Sequence, residues 1–135
     1  MKVLIDTNIV LDVLMNRAPH VEAASKVFKL CEVKKLTGYI SALSVPNIVY
    51  IMRKELDAQR IREILEQLSL IFTVADLKAD DLKKAAALEL GDYEDALQSV
   101  CASRIKADYI VTRNIKDFNG SKVTAIKPEE LLERI

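Results

Sequence analysis

Short apolar runs alternate along the chain with longer stretches in which apolar residues recur every three or four positions. The short runs are rich in β-branched residues and predict buried strands; they cover residues 2–5, 38–41, 69–75, 108–112 and 122–126. The longer stretches have the spacing of amphipathic helices; they cover residues 9–15, 21–36, 45–54, 57–68, 80–90, 92–106 and 128–135. This alternation predicts an α/β fold in which helices cover a mostly parallel sheet on both faces.

Length and composition are those of an ordinary globular chain. The 135 residues are half hydrophobic and 30% charged, and no linker or repeat divides them, so we expect a single domain over residues 1–135. The formal net charge is zero, which argues against a broadly basic nucleic-acid binder but is compatible with a local basic patch. Because Asp6 interrupts the first apolar run and no run is long enough to span a membrane, we expect a cytoplasmic protein without membrane contact.

The cysteines and the only histidine give little support to a catalytic or zinc-binding role. Cys31 and Cys101 each fall within the apolar pattern of a helix, so we interpret both as small core residues. His20 follows Pro19 in a turn, and we interpret it as a surface or structural residue.

Polar residues follow two of the predicted strands directly. Asp6 comes after the first strand, and Thr112, Arg113 and Asn114 come at the end of the fourth, with Asp117 just beyond. Ligands of parallel sheets bind beyond the carboxyl ends of the strands. If the first and fourth strands are neighbours, these residues meet at one edge of the sheet and mark a site.

A third polar group, GDYEDALQ (91–98), has two interpretations. Asp92 and Asp95 have the spacing of a helix N-cap and its partner three residues on. Alternatively, Asp95 points inward and joins Asp6 and Asp117. Carboxylates brought together repel unless a cation neutralises them, and a few carboxylate oxygens completed by water and phosphate describe a Mg²⁺ or Mn²⁺ site.

Three stretches together resemble the PIN-domain nucleases, and within them the VapC-like toxins of type II toxin–antitoxin systems: VLIDTNIVLDVL (3–14), GYISALSV (38–45) and DYEDALQSVCASRIKADYIVTRNIKDF (92–118). The resemblance spans nearly the whole chain. It implies a three-layer α/β/α sandwich around a central parallel sheet and a metal-dependent endoribonuclease that cuts RNA. It also implies an antitoxin protein as partner.

By this resemblance, Asp6 corresponds to the first metal-binding aspartate of the family and Asp95 to the acid that opens the late helix. Asp117 falls in the last acidic region, so these three acids are the expected catalytic residues and ligands of Mg²⁺ or Mn²⁺. The residues expected to support them are Thr7, Asn8, Asn47, Asp92, Thr112 and Asn114, with Thr7 and Asn8 steadying the first loop.

Two positions depart from the family pattern. The family often has a glutamate on the central helix, where this chain offers Asn47, and an aspartate where it has Asn114. An amide can bind a cation through its carbonyl oxygen but adds no charge, so each substitution should weaken metal binding. This keeps open a second hypothesis, a weak or inactive PIN-like module that binds RNA or a protein partner.

A third hypothesis is a phosphohydrolase with Asp6 as nucleophile. The haloacid-dehalogenase pattern has a second aspartate two residues further on, where this chain has Asn8, so we rank it last.

Two further expectations concern positions outside the acidic cluster. Asp12 either lines the entrance of the site or faces solvent, and we favour solvent. The apolar residues Ile48, Ile51, Ile61 and Leu65 could form a homodimer face, although such stripes are more often buried in a core.

Overall fold

A five-stranded sheet forms the centre of the molecule in the computed structural model, which describes residues 1–135. All neighbouring strands are parallel and lie in the order β3-β2-β1-β4-β5. The strands are β1 (Lys2–Ile5), β2 (Thr37–Ser41), β3 (Thr73–Ala75), β4 (Tyr109–Val111) and β5 (Thr124–Ile126). The predicted sheet is confirmed, and it is wholly rather than mostly parallel.

Seven α-helices connect and follow these strands: α1 (Thr7–Leu14), α2 (Val21–Glu32), α3 (Ser44–Met52), α4 (Ala58–Ile71), α5 (Ala79–Ala86), α6 (Tyr93–Arg104) and α7 (Pro128–Glu133). A short 3₁₀ helix, Ile115–Phe118, lies between β4 and β5. None of the helices combines the length and the apolar character needed to cross a membrane.

The core has a separate part on each face of the sheet. Val3 and Ile5 join a large cluster that includes side chains of α1, α2 and α4, whereas Leu4 joins a smaller cluster with α6 and Ile110. Successive side chains of a strand point to opposite faces, so helices cover both sides of β1. The arrangement is the predicted three-layer α/β/α sandwich.

The direction of the chain across the sheet reverses between β1 and β4. The chain first adds β2 and β3 on one side of β1, and then places β4 and β5 on the other. Ile5 is in register with Val111, and the backbone N–H of Asp6 continues the ladder by donating to the Val111 carbonyl over 2.9 Å. Asp6 therefore lies beside Thr112, at the kind of switch point where α/β sheets bind ligands.

Several predicted element boundaries are wrong, and the clearest case is the third strand. Residues 69–71 were predicted as strand but belong to α4, leaving only Thr73–Ala75 in β3. The apolar spacing of Ile61, Ile64 and Leu68 continues at helical period to Phe72, whose backbone N–H donates to the Leu68 carbonyl. Helical periodicity outweighs the β-like composition of this stretch.

Smaller differences lie at strand and helix ends. The strands predicted over residues 108–112 and 122–126 shorten to Tyr109–Val111 and Thr124–Ile126. The helix predicted over residues 9–15 begins two residues earlier, because Asp6 is its N-cap. The helices predicted over residues 21–36 and 80–90 end at Glu32 and Ala86.

The four residues considered for a homodimer face contribute mainly to the core. Ile48 and Ile61 are buried, and Ile51 and Leu65 are half-buried and packed against the same cluster. The core interpretation of this stripe is therefore the one that fits.

Candidate active site

Asp6 links the end of β1 to the start of α1. Its backbone is extended (φ −65°, ψ 148°), and its Oδ1 accepts a hydrogen bond from the Thr7 backbone N–H over 2.9 Å. Its Oδ2 accepts a hydrogen bond from the Thr112 hydroxyl over 2.8 Å, and that hydroxyl oxygen accepts one from the Asn114 backbone N–H over 3.0 Å. Both carboxylate oxygens are thus held in place, one by the first residue of α1 and the other by the residue that follows β4.

The Asp6 carboxylate is 7% exposed, and none of its hydrogen-bond donors is a cation. Burial raises the pKa of Asp6, and the charges of Asp117 and Asp92 raise it further, while the hydrogen bonds from Thr112 and Thr7 act to lower it. The net result is a pKa above the usual value, because the folded protein places no positive charge beside this carboxylate.

Asp92 and Asp95 form the capping box at the start of α6. Asp92 Oδ1 accepts from the Asp95 backbone N–H over 2.9 Å, and Asp95 Oδ2 accepts from the Asp92 backbone N–H over 3.2 Å. Both side chains also line the cleft that contains Asp6. The capping and inward-facing interpretations of Asp95 therefore hold together.

The pKa of Asp95 is also raised, in part by the neighbouring acids. Burial raises the pKa of Asp95 to about 6, with further contributions from the neighbouring Asp92 and Asp117 carboxylates, against a lowering by the Asp92 backbone hydrogen bond. An acid with this pKa carries a substantial fraction of bound proton near pH 6, and a cation would displace that proton.

Gly91 allows Asp95 and Asp117 to approach each other. Its φ is +27°, and an added Cβ would collide with Asp95 Oδ2 and lie only 3.0 Å from Asp117 Cβ. Asp117 reaches this point from the 3₁₀ helix after β4. A side chain at residue 91 would force the two acids apart.

These side chains line a cleft of about 380 Å³ at the carboxyl ends of β1 and β4. Its acids are Asp6, Asp92, Glu94, Asp95 and Asp117, and its amides are Asn8, Asn47, Gln98 and Asn114. No lysine, arginine or histidine is among the lining residues. The cleft is therefore rich in hard oxygen donors and short of positive charge.

The two asparagines at the departing positions both line this cleft. The Asn47 side-chain amide donates to Glu94 Oε1 over 3.4 Å. Glu94, which the sequence pattern did not single out, therefore supplies a carboxylate next to the position where the family often has one.

Thr7 and Asn8 lie in the first turn of α1, not in a loop as expected. The Thr7 hydroxyl shares a 2.7 Å hydrogen bond with the Ser44 hydroxyl, which also accepts from Gln98 Nε2 over 3.1 Å. Gln98 is 3% exposed, and its Oε1 is the one buried side-chain oxygen or nitrogen that lacks a hydrogen-bond partner.

Ser44 and Gln98 were also missed. The available signal for Gln98 was its position three residues after Asp95, on the same face of the predicted helix.

The donor chemistry of the cleft fits Mg²⁺ or Mn²⁺, although not as a closed protein cage. No three Asp, Glu, His or Cys side chains come close enough together to hold one ion. Mg²⁺ usually binds through one or two carboxylates and keeps several waters. The acids, the amides and the unpartnered oxygen of Gln98 therefore fit a largely hydrated ion.

Asp12 lies neither in solvent nor at the entrance, so our interpretation of it is wrong. It is completely buried, and its carboxylate binds Arg113 through two hydrogen bonds of 2.7 and 3.1 Å. Arg17 approaches to 3.7 Å on the same carboxylate. The reason is the path of the chain after β4, which carries Arg113 back onto α1.

The cysteines and the histidine lie away from the acids. Cys31 and Cys101 are buried, as expected for core residues, and burial raises the pKa of each thiol to about 11. His20 is half-buried at the start of α2 and does not line the cleft.

An acidic cleft at the switch point of a parallel sheet is a common place for metal-dependent phosphate chemistry. The sequence profile of the PIN domain matches residues 2–116. The chain therefore belongs to the PIN domain family. A comparison of the sequence with curated proteins finds no significant match.

Several solved structures have a similar fold. VapBC2 from Rickettsia felis, bound to a DNA fragment from its promoter, matches with a TM-score of 0.70 and 20% identity over 94% of this chain and 98% of that chain. A toxin–antitoxin complex from Klebsiella pneumoniae matches with a TM-score of 0.70 and 24% identity, over 93% of this chain and 97% of that chain. DNA-bound VapBC from Salmonella typhimurium matches with a TM-score of 0.71 and 18% identity, over 95% of this chain and 98% of that chain. At these identities, the similarity concerns the fold.

Proposed function

We propose that this PIN domain is a divalent-metal-dependent endoribonuclease, with Mg²⁺ or Mn²⁺ as cofactor. The observation that carries the proposal is the state of Asp6. Three carboxylates of the chain are buried, and two of them, Asp12 and Asp81, bind arginines. Asp6 has no such partner and faces a cleft with four other acids. A buried carboxylate of this kind calls for a cation from outside the chain.

In this proposal Asp6, Asp95 and Asp117 surround the ion, one or two of them as direct ligands and the others through bound water. Thr112 orients Asp6, Asp92 orients Asp95 through the capping box, and Gly91 lets Asp117 approach. When bound, the ion would make water a better nucleophile and neutralise charge at the phosphodiester under attack.

The amides and hydroxyls of the cleft have supporting roles. Asn8, Asn47 and Asn114 contribute carbonyl oxygens without charge, and Thr7 fixes the first turn of α1 through Ser44. Glu94 supplies a negative charge beside Asn47, whose amide has none. We therefore expect weak metal binding with activity retained, in preference to an inactive module.

We further propose that the chain is the toxin of a toxin–antitoxin pair, with an antitoxin protein as partner and cellular RNA as substrate in the cytoplasm. The family membership supports this assignment, together with a fold shared with the toxin–antitoxin complexes. Co-expression with the product of an adjacent short gene should yield a stable complex in which RNA cleavage is suppressed. Failure of every neighbouring product to bind would count against the toxin assignment alone.

Cleavage of labelled single-stranded RNA in Mg²⁺ or Mn²⁺ tests the nuclease. EDTA should stop the reaction, and Asp6→Asn should slow it by about a hundredfold or more, since a catalytic ion contributes several kcal/mol to the transition state. Asp80→Asn is the matched control, because Asp80 is an exposed aspartate paired only with Lys84, and its activity should be unchanged.

Two outcomes would reject the proposal. Cleavage that is equally fast in EDTA and in Asp6→Asn would exclude this cleft as the site. RNA that is bound but never cut, at any metal concentration, would establish a binding module on a nuclease fold.

A further inference from the structure

The mouth of the acidic cleft carries one aromatic side chain. Tyr50, on the last turns of α3, lines the cleft and is 54% exposed. It is the only aromatic residue among those that line the cleft. An exposed tyrosine presents an apolar ring face to solvent, with a polar hydroxyl at its end.

Two cations lie over this ring. The Arg53 guanidinium carbon lies 4.3 Å from the centre of the Tyr50 ring, and Lys54 Nζ lies 5.7 Å from it. Both side chains are exposed, and neither forms an ion pair, whereas Arg17, Arg60, Arg104 and Arg113 all bind carboxylates. These two positive charges therefore remain available to a ligand.

The two cations differ in charge from the residues that line the cleft. The interior of the cleft has five acids and no basic residue, so it repels a polyanion unless metal is bound. Arg53 and Lys54 lie over Tyr50 at the mouth of the cleft, where they can bind phosphates just outside the acids. The chain as a whole has no net charge, so attraction to RNA has to come from such local groups.

An exposed ring beside two free cations is the chemistry that binds single-stranded nucleic acid. Unpaired bases stack on aromatic faces and the cations follow the backbone, whereas the bases of a duplex are not available for stacking. We propose that Tyr50, Arg53 and Lys54 form a binding subsite for single-stranded RNA, in which the ring stacks on an unpaired base and the cations bind the adjoining phosphates. The subsite rests on the proposed ribonuclease function and specifies the strand state of its substrate.

Another aromatic–cation pair in the molecule provides a contrast. Arg134 lies 5.7 Å from the centre of the Tyr109 ring and donates to its hydroxyl over 3.0 Å. Tyr109 is half-buried at the start of β4, the opposite end of that strand from the cleft. That pair covers the core, so Arg134→Gln is a matched control for loss of a cation from a tyrosine.

Binding measured in Ca²⁺, a hard cation that can neutralise the acids of the cleft, separates this subsite from catalysis, with gels to confirm that the RNA stays intact. Fluorescence anisotropy would compare a labelled single-stranded RNA with an abasic oligonucleotide that has the same ribose-phosphate chain. Tyr50→Ala should weaken binding to the RNA by about tenfold and leave the abasic strand unaffected, and Tyr50→Phe should bind like the wild type because stacking is retained. Thermal melting checks that each variant is folded.

Loss of the two cations should change both the affinity and the salt dependence of binding. Arg53→Gln together with Lys54→Gln should weaken binding to both strands and reduce the slope of log K against log salt by about 1.4, or about 0.7 for each phosphate that is no longer neutralised. Arg134→Gln should change neither quantity. An equal loss of affinity in Arg134→Gln, equal effects of Tyr50→Ala on both strands, or no measurable binding of RNA by the wild type would each overturn the subsite.

Failure of the subsite and failure of the nuclease give different results. If the wild type cuts RNA and Tyr50→Ala has an unchanged KM, the subsite is wrong and the nuclease stands. If the wild type never cuts but its RNA binding depends on Tyr50 as described, the subsite stands and the nuclease is wrong. A duplex RNA should be bound with no dependence on Tyr50.

Discussion

Asp6 and Asp12 belong to the same helix, one as its N-cap and the other six residues further on, and both are buried. Asp12 is wholly enclosed, and Arg113 and Arg17 neutralise it. Asp6 has only a backbone N–H and a hydroxyl as donors, and it opens onto a cleft with four other acids. One carboxylate is satisfied within the chain, and the other is not.

Burial alone does not distinguish these two acids, whereas the presence or absence of a cationic partner does. A buried charge that has found its countercharge is part of the scaffold, and Asp81, held by Arg104 at 3.1 Å, repeats the arrangement of Asp12. A buried charge held rigidly without a countercharge costs stability, which is characteristic of sites that bind a cation or a proton.

Removing the countercharge of Asp12 should have the largest effect on stability. Arg113→Gln leaves Asp12 buried with only the longer contact to Arg17, so the free energy of unfolding should fall by about 3 kcal/mol. Urea denaturation measures this loss. Asp6→Asn, which keeps the capping oxygen, should by contrast stay within about 1 kcal/mol of the wild type.

A double variant sharpens that result. Combining Asp12→Asn with Arg113→Gln should cost less than the sum of the single changes, because neither group is then left charged and alone. Strict additivity would mean that the two side chains do not act as a pair.

Supplying a countercharge to Asp6 should have the next largest effect. Mn²⁺ at ten times its dissociation constant should raise the free energy of unfolding by about 1.4 kcal/mol, which corresponds to about 5 °C in Tm for a chain of this size. Scanning calorimetry with and without millimolar Mn²⁺ measures the shift. Asp6→Asn should show less of it, and Asp80→Asn all of it; equal shifts in all three proteins would place the ion elsewhere.

Protons should substitute for a bound cation, with a smaller effect because solvent screens the partly exposed Asp95. Because the pKa of Asp95 is raised to about 6 and that of Asp6 is also raised, the folded chain binds these protons more tightly than the unfolded chain. The contribution of Asp95 to stability is fully present below about pH 4 and is lost as the pH rises through about 6, and Asp6 acts in the same direction. In EDTA, the stability of the wild type relative to Asp95→Asn should therefore fall between pH 4 and 7. A flat difference would contradict the raised pKa.

Adding acids at the two asparagines should have the smallest effect. Asn114→Asp should lower the Mn²⁺ concentration for half-maximal cleavage by about threefold, the scale of a partly exposed charge pair. Asn47→Glu should gain less, because it loses the hydrogen bond to Glu94 and faces that carboxylate instead. A larger gain from Asn47→Glu would show that Glu94 does not substitute for it.

The order of strands and helices could be predicted from the sequence because apolar periodicity is local. The convergence of Asp6, Thr112 and Asp117 followed from one further condition, that β1 and β4 are neighbours, and the structure meets it. Boundaries such as the end of α4 were missed where helical spacing and β-rich composition compete within the same few residues.

The surroundings of the site could not be predicted in this way. Asp12 meets Arg113 across 101 positions of sequence, and Gln98 meets Ser44 across 54. No local pattern specifies such partners, since they depend on how helices pack onto the finished sheet. Tyr50 was overlooked for the same reason, because it reaches the cleft only through the packing of α3.

The hydrogen bond between Thr112 and Asp6 joins residues 106 positions apart. During synthesis, Asp6 leaves the ribosome long before Thr112 and Asp117 are added, and β1 has no β4 beside it until then. The cleft therefore cannot form until Thr112 and Asp117 have been added, 106 or more positions after its first acid. For a protein that we propose attacks RNA, this order of synthesis would keep the site incomplete until the segment after β4 has been made.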